Sequence, residues 1–385
     1  MKIALVHDWL VNLGGAERVI IALHEIFPEA PVYTLFYDRK FTSRYFPKAR
    51  IKTSFLQKIP GIAKLHPWFK ILMPMAAESF DLGGFDLVIS SSHEFSHGIL
   101  SKPGTRHIAY YHSPSRLIWD RAHAWLDDFK KRNGAGFKVF LIMAGQHFLR
   151  LWDYPAAKRP DIAVANSWHV VERIKKYYGR EARVIYPPVK VPGESNSALT
   201  RFANYFLIVS QLYPHKNIDL VVEAFKKMPE LNLVVLGRGP ERKKLLKAAK
   251  GFKNINFLGF VPDEKIGDYY QNCRGYIISN EEDFGISPVE AMFFGKPVLA
   301  HRSGGAKETV SEGITGKFFD GLDPESLARA VRSFNEEISA GRYDPEKIKK
   351  HAEKFGLENF KKEILDIIGS LAYTYTKKAS PYESR

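Results

Sequence analysis

Cysteine is almost absent from this chain of 385 residues: Cys273 stands alone. A single thiol excludes an intrachain disulfide and a cysteine-based zinc site, and a reducing compartment is the simplest reading. Long hydrophobic runs are missing as well; none approaches the roughly 18 residues of a membrane span. The N-terminus, Met1-Lys-Ile-Ala-Leu-Val-His-Asp, has neither the apolar stretch nor the cleavage site of a secretory signal and reads as a first strand. Acidic residues are missing from one long segment, 39–77, which carries nine Lys and Arg and no Asp or Glu.

That segment is part of a wider asymmetry. Residues 1–190 hold 28 basic and 16 acidic side chains, whereas the remainder holds 29 and 26, so the net charge of +15 lies almost wholly in the first half. Leu56, Ile59, Ile62, Leu65, Trp68 and Phe69 interleave with the bases of 39–77. Such a segment can lie in the interface of an anionic membrane, each charge near the surface adding about 1 kcal/mol. The plainer reading is a solvated basic face over ordinary core residues. No recognised nucleic-acid motif accompanies the charge, so nucleic acid is not the expected partner.

A length of 385 residues with 45% hydrophobic content suits two domains, each with a real core. Strands are expected at 3–7, 32–36, 86–90, 107–111, 162–165 and 183–186, then again at 205–210, 232–236, 254–258, 275–279 and 297–300. Helices are expected at 15–27, 217–228, 241–250 and 287–295. Pro187-Pro188 and Pro192-Gly-Glu-Ser-Asn-Ser-Ala interrupt the alternation. The expected division is a first domain over 1–190, a linker over 191–203, a second domain over 204–365 and a helical tail over 366–385. The tail is expected to pack on the first domain. Strands alternating with helices mean parallel sheets in both halves, and ligands in such sheets bind beyond the carboxyl ends of the strands.

The stretch from Glu282 to Glu290 carries the most chemistry. It follows the apolar run Gly275–Ser279 and enters a helix that stops near Gly295. The turn Phe284-Gly285-Ile286-Ser287 would aim backbone N–H groups and the positive helix end outward, where a phosphate fits. Phosphate donors flanked by two hydroxyl-accepting carboxylates suit a sugar joined to a nucleotide. The competing reading makes Glu282 a solvated loop acid and Glu290 an ordinary first-turn helix acid.

Further residues join this stretch in a familiar order. Ser210-Gln-Leu-Tyr-Pro-His-Lys216-Asn, Leu236-Gly-Arg-Gly-Pro240 and Glu282 through Glu290 follow Gly14-Gly15-Ala-Glu-Arg18, Tyr110-Tyr-His112-Ser-Pro114, Asn166-Ser167 and Tyr186-Pro-Pro-Val189. The set resembles the retaining glycosyltransferases of family 4, over nearly the whole chain. In detail the first half looks most like bacterial mannosyltransferases that build surface polysaccharides from GDP-mannose.

The resemblance implies a GT-B architecture, two Rossmann-like domains with parallel sheets facing across a cleft, donor on the second and acceptor on the first. It implies that Lys216 contacts the donor diphosphate, Glu290 the ribose hydroxyls and Glu282 the donor sugar. Gly285, Ile286 and Ser287 would offer backbone N–H groups, Gly15 would let its backbone approach the diphosphate, and His112 would lie against the transferred sugar. Where the family normally has an arginine, this chain has Gln211, which carries no charge and no bidentate fork. Either diphosphate binding is weakened, or Arg238 or Arg18 compensates.

The implied chemistry is transfer of a hexose to the hydroxyl of a glycan or lipid-linked acceptor, with the anomeric configuration retained. The implied setting is cytoplasmic, peripheral on the inner face of the membrane. No Asp-x-Asp pair is present, so no divalent metal and no cofactor are expected. A UDP- or ADP-sugar donor remains an alternative, as does a nucleotide-sugar epimerase or a non-catalytic nucleotide-sugar-binding protein. His93-Glu94-Phe-Ser-His97 also fits the H-E-x-x-H pattern of zinc peptidases, although a strand precedes it and Pro103-Gly104 would end any helix soon after. The base, the sugar, the acceptor and the oligomeric state stay open.

Overall fold

The computed structural model describes residues 1–134, 136–191, 193 and 204–378. The chain separates into two compact units. The first comprises Met1–Pro188 together with the chain from Phe360 onward, and the second comprises Val189–Asn359. The expected linker, 191–203, falls largely outside the described residues, as does the end of the expected tail beyond 378. The expected boundary at 365/366 lies inside a single helix, Leu357–Lys378. Phe360, Ile364 and Ile367 of that helix are buried, and Phe360 packs edge-on against Tyr110 in the first unit.

The first unit is built on seven strands: β1 (Ile3–Leu10), β2 (Val32–Tyr37), β3 (Ile51–Thr53), β4 (Leu87–Ser92), β5 (Arg106–Tyr111), β6 (Ile162–Ala165) and β7 (Arg183–Val184). They pair in the order β3-β2-β1-β4-β5-β6-β7, every pair parallel. The second unit has six: β8 (Tyr205–Val209), β9 (Asn232–Leu236), β10 (Ile255–Gly259), β11 (Gly275–Ile278), β12 (Val298–His301) and β13 (Gly316–Phe319). Their order is β10-β9-β8-β11-β12-β13, again parallel throughout. The expected fold class of paired Rossmann-like parallel sheets is therefore present.

Central strands of such sheets are covered on both faces and so read as continuous apolar runs. Leu233–Leu236 and Tyr205–Leu207 are buried without alternation. Both sheets reverse their strand order once, between β1 and β4 and between β8 and β11. At such a reversal the loops diverge to opposite faces and leave a crevice at the carboxyl ends of the strands. The side chains of interest leave the sheets at these two places.

Candidate functional site

In the second unit, Lys216 ends a 3-10 turn, Pro214–Lys216, that follows β8, and Glu282 lies in the loop after β11. The two meet: the Lys216 ammonium hydrogen-bonds the Glu282 carboxylate, and both groups are mostly shielded. Their loops are fastened to each other. Ser279 Oγ donates to the Lys216 carbonyl at 3.1 Å, and Asn217 Nδ2 donates to the Ser279 carbonyl at 3.1 Å. Asn280 Nδ2 donates to Glu282 Oε1 at 3.0 Å. Burial alone would raise the Glu282 pKa, but the Lys216 charge and these donors outweigh it and hold the carboxyl below its ordinary value. An ionised acid and a cation therefore share the crevice of the second sheet.

Helix Ile286–Phe293 starts immediately beyond, with Gly285 as N-cap and no side-chain cap. Pro288 has no N–H, which leaves the amides of Ile286 and Ser287 as the donors of the first turn. The loop is braced from behind, because the Gly305 N–H donates to the Glu282 carbonyl at 2.9 Å.

The remaining expected donor residues have these surroundings. Phe284 is a core residue whose ring packs edge-on against Phe355, so only its backbone belongs to the turn. Glu290 is buried and accepts the Tyr270 hydroxyl at 2.7 Å. One turn into the helix, a side chain faces the neighbouring helix Asp263–Asn272, which carries Tyr270. Arg238 stacks on Phe260, its guanidinium carbon 3.8 Å from the ring centroid. Gln211 is exposed, and its loop abuts that of Arg238, since the Leu212 N–H donates to the Arg238 carbonyl at 2.8 Å.

In the first unit, Gly15 opens helix Gly15–Ile26 at the end of β1, with the Glu17 carboxylate beside Gly14 and 3.7 Å from His7 Nε2. His112 follows β5. Its N–H donates to the Ser92 carbonyl at 2.8 Å, and its Nε2 lies 2.8 Å from Ser91 Oγ. Burial pushes its imidazole well below the ordinary value, so it is neutral at pH 7. His7 Nδ1 is 3.0 Å from the Ser91 carbonyl, which joins β1, β4 and β5 in one polar cluster.

Asp8 anchors the same cluster, although strand periodicity alone does not single it out. Its wholly buried carboxylate accepts the backbone N–H groups of His93, Glu94, Phe95 and Ser96 at 2.6–2.9 Å. The His93 ring approaches it at 2.8 Å. Burial would raise the Asp8 pKa, but the His93 charge and these donors hold it far below the carboxylate range. Burial likewise opposes the His93 charge, and Asp8 outweighs that to push the imidazole up to about 9.

This arrangement overturns the zinc-peptidase alternative. His93 and Glu94 lie in a loop and His97 in the 3-10 turn Ser96–Gly98, so the motif does not share one helix face. Each side chain has a different partner: His93 pairs with Asp8, Glu94 takes Lys70 at 2.6 Å, and His97 lies 3.2 Å from the buried Asp153. Among the described residues no group of three or more His, Cys, Asp or Glu converges on a common metal position.

The basic segment 39–77 divides. Leu56 and Ile62 are core residues, while Leu65, Ile71 and above all Trp68, 83% exposed, face solvent.

With two parallel Rossmann-like sheets, and Lys216 and Glu282 at the reversal of the second, the fold is that of the GT-B glycosyltransferases. Residues 197–359, most of the second unit, match the family model "Glycosyl transferases group 1". The chain is similar to the D-inositol 3-phosphate glycosyltransferase of Geodermatophilus obscurus, 28% identical over 251 residues, 57% of this chain and 53% of that protein. It is also similar to the GDP-mannose-dependent alpha-(1-6)-phosphatidylinositol monomannoside mannosyltransferase of Mycolicibacterium smegmatis. There it is 30% identical over 138 residues, 32% of this chain and 36% of that protein. The chain thus spans about half the length, or less, of these curated relatives. Among solved structures, Anabaena Alr3699/HepE in complex with UDP superposes with a TM-score of 0.71 at 19% identity, covering 96% of this chain and 100% of that one.

Proposed function

We propose that the protein is a retaining glycosyltransferase that moves mannose from GDP-mannose to a hydroxyl of a glycan or lipid-linked acceptor at the cytoplasmic face of the membrane. The observation that carries the reading is the Lys216–Glu282 pair at the strand reversal of the second sheet, beside the uncapped helix end at Gly285–Ser287. A cation and fixed amide dipoles suit a leaving diphosphate, whose negative charge grows as the glycosidic bond breaks. An ionised carboxylate beside them suits the hydroxyls of the donated sugar.

In the reaction the bond from the anomeric carbon to the phosphate oxygen breaks. The acceptor oxygen bonds to the same face, and its proton passes to that phosphate oxygen. Lys216 neutralises the departing diphosphate and exchanges part of its contact with Glu282 for phosphate. The amides of Ile286 and Ser287 contribute without reorganising. Neutral His112, fixed through Ser91, serves as a hydrogen-bonding wall for the sugar rather than as a charge. Membrane contact is assigned to the exposed Leu65, Trp68 and Ile71 with the lysines around them.

The mannose and guanine choices rest on the sequence resemblance and on the mannosyltransferase relative, whereas the similar Anabaena structure holds UDP. A thermal-shift panel of GDP-, UDP- and ADP-sugars therefore tests the donor. A ligand at 100 times its dissociation constant stabilises the fold by about 2.7 kcal/mol. GDP-mannose or GDP is expected to give the largest shift, and Lys216→Ala to abolish most of it. Negligible shifts with every nucleotide would overturn the assignment, and a larger UDP shift would transfer it to that donor.

A further inference from the structure

Helix Phe137–Ala156 is apolar on two opposite faces. Its inner face buries Val139, Leu149 and Ala156 and places Asp153 against Trp119 and His97. Its outer face presents Phe137, Phe140, Leu141, Phe148, Leu151 and Tyr154, each between 43% and 74% exposed. At 3.6 residues per turn these six fall within an arc of about 140°. A soluble protein seldom leaves so much contiguous apolar surface open without a partner.

Charge selects the partner. Within the helix the only acid is Asp153, which is buried, while Lys138 at its start and Lys158 just past its end are exposed; the exposed Asp127 of the preceding helix is paired with Lys130 at 3.5 Å. Lys158 lies over the Tyr154 ring at 4.3 Å, an aliphatic stem along the apolar face with its charge at the edge. An apolar stripe with a cationic rim matches the interface of an anionic bilayer, where rings sit below the headgroups and lysines among them. A second copy of the chain on this face would bring cationic rim against cationic rim. No helix among the described residues is long and apolar enough to cross a membrane, so this one lies in the plane. The helix also packs beside the 3-10 segment His66–Leu72, which carries the exposed Trp68 and Ile71.

We infer that the outer face of helix Phe137–Ala156 is a membrane-docking surface that inserts in plane into anionic lipid, making the basic segment its flank rather than the main contact. This deepens the peripheral-membrane part of the reading above, and it is independent of the donor chemistry, so the two fail separately.

The test is sedimentation of the full chain with vesicles of phosphatidylglycerol and phosphatidylcholine, alongside vesicles of phosphatidylcholine alone. Binding is expected to the anionic vesicles, and Phe140→Asp with Leu151→Asp is expected to reduce it by about tenfold or more, with Trp68→Asp having the smaller effect. A far-UV circular dichroism spectrum and an unliganded melting transition like those of wild type would certify that the double variant is folded. As a second readout, Leu151→Cys carrying an environment-sensitive fluorophore should shift to the blue on vesicle addition; Cys273 is buried and stays unlabelled. Absent vesicle binding, an unaltered double variant, or no blue shift would overturn the proposal. So would light scattering that shows a lipid-free dimer converted to monomer by the double variant.

Discussion

Asp8 shows how much one buried charge can organise. Four backbone donors and one imidazole converge on its carboxylate, so the turn after β4 depends on it for shape. Removing one partner of a buried ionic cluster typically costs about 3–5 kcal/mol, because the others are left unsatisfied. Asp8→Asn keeps the volume and loses the charge; chemical denaturation should show destabilisation of that order. The His93 pKa is raised to about 9 from 6.5. Its contribution to stability is therefore complete below about pH 6.5 and is lost as pH rises through about 9. The Asp8 contribution runs the other way, complete above the ordinary carboxylate range and lost only in strong acid. The melting temperature of wild type should fall between pH 7 and 9.5 more steeply than that of His93→Gln. Parallel profiles would show that the ion pair is not what fixes this loop.

At the scale of elements, the loops of the second sheet are packed too closely for a side chain. Gly237 has φ +138°, and a Cβ there would lie 1.8 Å from the Ser210 carbonyl oxygen. Backbone strain of this kind costs about 1–3 kcal/mol, so Gly237→Ala should lower the unfolding midpoint and weaken nucleotide binding through displacement of the Gln211 loop. Calorimetry with and without GDP measures both effects. The central strands were legible because burial on both faces leaves unbroken apolar runs. Edge strands β3 and β13, of three and four residues, offer no such run. Helix Phe137–Ala156 was hidden for a related reason, since apolar residues on both faces erase the 3.6-residue contrast. Lys216 and Glu282 could be read from the chain because each follows a clear strand. Their direct pairing could not, since it depends on which strands are neighbours across the reversal. Spacing places Glu290 one turn into its helix, but its contact with the Tyr270 hydroxyl depends on which helix packs alongside. The expected first strand, 3–7, stops one residue short of Asp8, which lies inside β1.

At the scale of the molecule, charge and connectivity carry the remaining consequences. The proposed chemistry relies on an ammonium and amide dipoles, so transfer should survive excess EDTA, and metal analysis of purified protein should find no stoichiometric zinc. Loss of activity in chelator, restored by a divalent ion, would replace Lys216 as the main group that neutralises the departing diphosphate. The second unit is one uninterrupted stretch, Val189–Asn359, whereas the first is completed only when the chain returns at Phe360. Genetically, the second unit is a cassette nested within its host. A recombination event with both breakpoints near those junctions could exchange it whole; on the proposed reading, the chimera would keep its old acceptor while adopting a different activated sugar.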